Sequence, residues 1–130
     1  MNDKKYDVVV IGGGPAGYPA ALRAAQLGLS AVCIDDYKNA EGLRLFGGTC
    51  LNVGCIPSKA LLESTELYHR AHSEFEQHGI KIAGGVSMDV GTMQARKGAI
   101  VKQFTSGIEA MFKAANVTGI KGRGKLLSGN

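Results

Sequence analysis

The feature that most constrains this chain is Gly12-Gly13-Gly14-Pro15-Ala16-Gly17, a G-x-G-x-x-G pattern at positions 12, 14 and 17 set between two unlike segments. Before it, Tyr6 to Ile11 is a short valine-rich run, as expected of a parallel strand buried on both faces. After it, a helix is expected from about Pro15 to Leu27. Pro15 suits a first turn, where its missing N–H costs nothing, and Gly28 is placed as a C-cap. Ala21, Leu22 and Ala25 give the helix a packed face. Strand, glycine turn and helix in that order imply a parallel α/β unit. Gly12 allows the tight turn, Gly14 lets the backbone approach a pyrophosphate, and Gly17 lets the helix pack close to the strand. A second apolar run, Ala31-Val32-Cys33-Ile34, ends in Asp35, 18 residues beyond Gly17, where a carboxylate takes the ribose hydroxyls of a dinucleotide. The glycine pattern alone is a weak signal. Followed by helix, strand and acid at these distances it specifies dinucleotide binding, without deciding between FAD and NAD. Pro19 conflicts locally with the helix, because it cannot donate to the carbonyl of Pro15; a kink or a loosened first turn is expected.

The remaining composition excludes several classes. The 130 residues suffice for one domain with a core, and 45% hydrophobic with 20% charged residues is ordinary for a globular chain. The net charge of +4 comes from scattered cations, densest at Arg96-Lys97 and between Lys121 and Lys125. That is too sparse for a nucleic-acid patch, so no nucleic-acid partner is expected. No apolar run approaches ~20 residues, so no membrane span is expected. Met1 to Asp7 is polar and mixed in charge, unlike a secretory signal. A cytoplasmic location follows as an expectation, and there structural disulfides are rare. Three cysteines, two of them close in sequence, then favour reactive chemistry over stapling.

Beyond Asp35, Asp36 to Phe46 is a polar loop without a period. Ala60 to His78 reads as a helix with a ragged apolar face of Leu61, Leu62, Leu67, Tyr68, Ala71 and Phe75. Ile80-Lys81-Ile82 alternates like a short strand and Gly84-Gly85 forms a turn. Met88 to Ala115 is a long amphipathic helix with Ile100, Val101, Phe104, Ile108, Met111, Phe112 and Ala115 at helical spacing. Gly91, Gly98 and Gly107 lower its propensity, so tertiary packing must hold it. Val117 to Leu127 reads as a pair of short strands punctuated by Gly119, Gly122 and Gly124.

Between these lies Gly47 to Lys59, with Cys50 and Cys55 five positions apart. On a regular helix five residues advance about 7.5 Å, beyond the roughly 7 Å that a disulfide spans between Cα atoms. A bridge therefore requires a looped or distorted segment. Gly54 permits one, and Pro57 favours a helix that starts only after the second cysteine. So small a ring contributes only roughly 2 kcal/mol by loop entropy, against nearly 5 for a hundred-residue loop. It is a poor staple and a sensible exchangeable pair. A helix N-terminus and Lys59 nearby would stabilise a thiolate. Two buried free thiols are the plain alternative. A metal site fits worse: C-x4-C lacks the usual zinc spacing, and His69 and His72 have no second cysteine pair beside them. Those two histidines and His78 read as surface residues, and Cys33 as a small core residue.

Gly-Gly-Gly-Pro-Ala-Gly-Tyr at 12 to 18 and Gly-Gly-Thr-Cys-Leu-Asn-Val-Gly-Cys-Ile-Pro-Ser-Lys-Ala-Leu-Leu at 47 to 62 resemble the pyridine nucleotide-disulfide oxidoreductases. The wording of the second motif is that of the dihydrolipoamide dehydrogenase branch, and Gly122-Arg123-Gly124-Lys125 resembles the family's strand passing the adenine end of FAD. The resemblance implies an α/β fold: a Rossmann-like FAD-binding βαβ unit with a two-helix excursion, incomplete relative to the full family fold. Its parts would be the fingerprint at 8–35, the disulfide region at 47–62, the helical excursion at 57–115 and terminal strands at 117–127, all within the N-terminal part of an FAD-binding domain. It implies that Gly12, Gly14 and Gly17 cradle the FAD pyrophosphate and that Asp35, where the family more often has glutamate, binds the ribose. Gly48 and Thr49 would line the cofactor, Lys59 would sit by the reactive flavin edge, and Gly124 would contact FAD through its backbone. Cys55 would form the charge-transfer thiolate and Cys50 would exchange with dihydrolipoamide.

The family's chains are several times longer. They add a second glycine fingerprint for NAD, a segment completing the FAD domain, and a dimerisation domain supplying a histidine-glutamate base to the partner subunit. None of these is found in the 130 residues. The expectation is therefore an N-terminal portion. The full-length form would be a homodimer that oxidises dihydrolipoamide, carried on the acyltransferase (E2) component of a 2-oxoacid dehydrogenase complex, and reduces NAD⁺ through FAD. Turnover by this chain alone is not expected. A stand-alone flavin- or dinucleotide-binding module, and part of a glutathione- or mercuric-reductase-like enzyme, are the alternatives.

Overall fold

The computed structural model describes residues 4–127; of the polar opening segment, Met1 to Asp3 lie outside the described residues. A βαβ unit opens the chain: β1 (Val8–Ile11), α1 (Gly17–Gln26) and β2 (Ala31–Asp35). The chain then leaves the sheet through α2 (Gly48–Asn52), α3 (Cys55–Ser73), a 3-10 turn (Phe75–His78) and α4 (Val90–Ala114). It returns as β3 (Thr118–Lys121). The sheet order is β1-β2-β3, all parallel, with Val10 opposite Cys33 and Cys33 opposite Gly119. This is the expected α/β arrangement, a small parallel sheet with a helical excursion between its second and third strands.

β2 is the central strand, and Ala31, Val32 and Cys33 are buried in succession, as a strand covered on both faces requires. β1 departs from that expectation. Its side chains alternate: Val8 and Val10 pack on the core under α1, while Val9 and Ile11 stand 56% and 51% exposed. One face of the edge strand is open.

The Pro19 conflict disappears because α1 begins at Gly17, not Pro15. The amides of Gly17 and Tyr18 both donate to the Gly14 carbonyl, and Pro19 falls in the first turn, where a helix has no intrahelical acceptor for an N–H. At the other end Leu29 N donates to Ala24 O around Gly28, whose φ of +83° is the left-handed cap expected from the sequence.

α4 closes the core. Its Ile108 and Phe112 are buried, and the Phe112 ring meets Phe46 edge-on at 5.1 Å between centroids. Phe46 ends the supposedly polar loop yet is a core residue. Asp89 caps α4 by accepting the Thr92 amide at 3.1 Å, and Arg96 ties it to α3 by donating to the Ala60 carbonyl at 3.0 Å. The expected apolar face of α3 is mostly uncovered: Pro57 and Ala60 are buried, but Leu62 and Leu67 are exposed.

Two expected strands are not present. Ile80-Lys81-Ile82 is irregular and exposed, since no neighbouring strand pairs with it. The segment from 117 to 127 holds one strand instead of two. The Gly122 amide makes a last bond to the Asp35 carbonyl, after which the chain leaves the sheet.

Candidate redox site

Cys50 and Cys55 are bonded, with their Cα atoms 4.7 Å apart. Cys50 lies in α2 and Cys55 is the first residue of α3; Val53 and Gly54 break the helix between them. The distortion demanded by the spacing is therefore a two-residue break between two helices. A Cβ on Gly54 would come within 3.1 Å of the Thr49 carbonyl oxygen and 3.2 Å of the Cys50 Cα, so any larger residue would push this backbone apart by a few tenths of an ångström. Two details differ from expectation. The segment before the break is itself a one-turn helix, and α3 starts at Cys55, with Pro57 inside its first turn instead of ahead of it. Cys50 is half-buried and Cys55 exposed; Lys59 follows one turn later on α3 and is also exposed.

The fingerprint loop sits directly beneath. Gly12, at φ +104°, donates its amide to the Ile34 carbonyl at 2.7 Å and so turns the chain off β1. An added Cβ on Gly17 would lie 1.7 Å from the Gly12 carbonyl oxygen, which is the close helix–strand packing expected of it. Gly13, to which the sequence pattern assigned no task, is buried and donates its amide to the Asp35 carboxylate. The other Asp35 oxygen accepts the Tyr37 amide at 2.7 Å. Asp35 thus fixes both the fingerprint turn and the exit from β2. A carboxylate offers about four acceptor sites, so two remain for hydroxyls. They border a cleft of about 300 Å³ across the strand ends, where Gly12, Asp35, Asp36, Arg123 and Gly124 converge.

Fingerprint and disulfide segment touch through backbone. The Gly47 amide donates to the Gly13 carbonyl at 2.8 Å, and a Cβ on Gly48 would fall 2.7 Å from the Gly14 Cα. Among the described residues the amides of Gly14 and Ala16 have no protein acceptor, so two N–H donors stand free at the start of α1. The cleft at Asp35 and these amides lie on one fingerprint turn, which Gly48 of the disulfide segment touches at Gly14. Such a donor set fits an extended dinucleotide cofactor.

Asn52, which no motif singled out, is buried beside the pair. Its Nδ2 donates to the carbonyls of Phe46 at 3.2 Å and Gly48 at 2.9 Å. A single buried amide in a sequence window carries no visible signal of such a role. Cys33 is fully buried, as expected of a core residue; burial, then the charge of Asp35, push its thiol up to about 11. It is inert beside the more accessible Cys50–Cys55 pair.

The family model for pyridine nucleotide-disulphide oxidoreductases matches residues 6–130, and the chain belongs to that family. Among curated relatives it is 51% identical to a dihydrolipoyl dehydrogenase of Trypanosoma brucei brucei over 96% of this chain, and 53% identical to mitochondrial dihydrolipoyl dehydrogenase 1 of Arabidopsis thaliana over 95%. A dihydrolipoyl dehydrogenase of Cupriavidus necator is 49% identical, again over 95%. The chain spans about a quarter of the length of these relatives: 25%, 23% and 26% respectively. No helix among the described residues is long and apolar enough to cross a membrane.

Proposed function

We propose that this chain is the FAD- and disulfide-bearing portion of a dihydrolipoyl dehydrogenase, the portion that takes two electrons from a dithiol. One observation carries the reading: the closed Cys50–Cys55 bridge is seated, through the Gly48–Gly14 contact, on the glycine fingerprint. In this reading one thiolate of dihydrolipoamide, presented on an acyltransferase component, attacks the Cys50 sulfur. The Cys50–Cys55 bond breaks, and Cys55 leaves as a thiolate at the N-terminus of α3, where the helix dipole and Lys59 favour negative charge. The second substrate thiol then displaces Cys50, closing the substrate's disulfide and leaving both electrons on the cysteine pair. FAD, when bound, supplies the two-electron acceptor for that dithiol, and NAD⁺ takes the electrons in the homodimeric whole enzyme. The free amides of Gly14 and Ala16, within the Gly12–Gly14–Gly17 turn, hold the pyrophosphate, and Asp35 accepts from the ribose. Gly48 and Thr49 line the cofactor, and Gly124 borders the cleft for its adenosine end. Turnover by the 130 residues alone is not part of the proposal; the compartment proposed is the cytoplasm, although relatives include mitochondrial proteins.

The test is FAD retention together with thiol labelling. A Cβ on Gly14 meets only the Gly48 Cα, at an ordinary 3.7 Å, so Gly14→Ala leaves the fold standing while intruding on the cofactor. Wild-type protein reconstituted with FAD should stay yellow after gel filtration, and Gly14→Ala should bind at least about tenfold more weakly. An equally yellow variant would remove the fingerprint from FAD binding. Alkylation after mild reduction should label Cys50 and Cys55 and spare Cys33. Yellow protein with labelling unchanged by reductant would indicate a flavin module without exchange, and reduction by glutathione in preference to dihydrolipoamide would favour a glutathione-reductase-like parent.

A further inference from the structure

α2 carries Cys50, yet it has only five residues, and a helix that short cannot hold itself together. Its N-cap, Gly47, offers no side-chain hydrogen bond. Leu51 packs it into the core, and Asn52 at its last position adds the polar anchor. The side-chain amide donates to the carbonyls of Phe46 and Gly48, which bracket Gly47, and Gly47 in turn donates to Gly13 of the fingerprint. Phe46 is itself locked in the core against Phe112. A chain of direct contacts therefore runs from the core through Phe46 and Asn52 to the helix that bears Cys50.

The amide orientation is fixed, because a flip would aim Oδ1 at two carbonyl oxygens. Held this way, Oδ1 is buried among the described residues without a protein partner. A buried acceptor left unpaired is a cost that an apolar side chain of the same size would not incur. The contribution of Asn52 is thus its two donations. We infer that Asn52 is a positioning residue that fixes Cys50 against Cys55 and so sets how readily the Cys50–Cys55 pair is reduced. The inference rests on the redox reading of that pair.

The reaction that reports it is glutathione exchange. Two glutathione thiols reduce the Cys50–Cys55 disulfide, giving two protein thiols and one glutathione disulfide; the protein S–S bond breaks, the glutathione S–S bond forms, and two electrons with two protons pass to the protein. Releasing α2 lowers the effective concentration of one cysteine at the other, so the pair becomes easier to reduce. In the purified 130-residue chain, equilibrated in glutathione buffers and trapped by alkylation, Asn52→Leu should raise the equilibrium constant for reduction about tenfold, a shift of about 30 mV for a two-electron couple. Ile108→Val, which loosens the core without touching the Asn52 hydrogen bonds, should keep the wild-type constant.

Asn52→Asp supplies an answer should the leucine variant not fold. Its neutral carboxyl can still donate to one carbonyl, whereas the carboxylate faces both as an anion, so its excess over wild type should be larger at pH 8 than at pH 5. A folded Asn52→Leu within twofold of wild type, an Asn52→Asp excess that is the same at both pH values, or an equal shift in Ile108→Val overturns the inference alone. A wild-type pair that does not exchange overturns the redox reading and this inference with it.

Discussion

At the junction of fingerprint and disulfide segment, an added Cβ would lie 1.7 Å from backbone at Gly17 and 2.7 Å from backbone at Gly48; at Gly98 and Gly107 in α4 it would meet nothing within 4 Å. The same residue type does two different things. At the junction glycine is absent bulk, and its neighbours have closed onto the space a side chain would need. In α4 it is only a missing methyl on a helix, a weakness that packing by Ile108 and Phe112 makes good. The junction is thus specified by contact and the helical excursion by burial of a few apolar anchors. Alanine scanning of glycines should separate the two by sign as well as by size.

The largest effect is expected at Gly17. Alanine there places its Cβ on the Gly12 carbonyl oxygen, which is backbone and cannot swing aside as a side-chain end could. Either α1 lifts from the strand or the Gly12 turn opens. Destabilisation of roughly 4 kcal/mol or more is expected, in the far tail of point-substitution effects and a large part of the stability of a small domain. Chemical denaturation measures it. A Gly17→Ala chain within 1 kcal/mol of wild type, a margin about the size of the average substitution, would show that the junction is looser than its contacts imply.

The same contrast explains what could be read from the sequence. The βαβ unit, Asp35 at the end of β2, the buried Cys33 and the need for a break between Cys50 and Cys55 all follow from local spacing, and local spacing is what a single sequence displays. Phe46 and Asn52 did not show. Phe46 ends a polar loop, and it is buried because Phe112, far along the chain, arrives to meet it. Asn52 acts through carbonyls, and backbone acceptors are anonymous in a sequence. Gly13 was passed over because the pattern counts it as a variable position, whereas the fold uses its amide for Asp35. Ile80-Lys81-Ile82 misled in the other direction: it has a strand's alternation, but a strand exists only with a partner to pair.

A smaller effect belongs to Cys33, beneath the junction. Its thiol is raised from 9.0 to about 11 by burial and then by Asp35. A folded pKa above the unfolded one keeps the stabilisation intact below about pH 9, and it is lost as pH rises from 9 toward 11, because the unfolded chain releases the proton first. Two units correspond to at most roughly 2–3 kcal/mol. Lysines and tyrosines titrate in the same range, so the comparison is with Cys33→Ala. Wild type should lose more stability than the variant between pH 8.5 and 10.5 in thermal melts, by roughly 1–2 kcal/mol. Parallel losses would mean that the thiol titrates as it does in the unfolded chain.

The smallest effect tests the excursion and carries the opposite sign. Gly98 is exposed within α4, and an added Cβ there has open space around it. Alanine removes backbone freedom from the unfolded chain and supplies the better helix former, so Gly98→Ala should stabilise by roughly 0.5–1 kcal/mol. Read as a shift in denaturation midpoint at unchanged slope, the gain would confirm that α4 is held by its buried anchors and that Gly98 answers to no close neighbour. A loss in place of a gain would mean that α4 needs that space when it packs, and the distinction between glycines at the junction and glycines in the helix would then fail at Gly98.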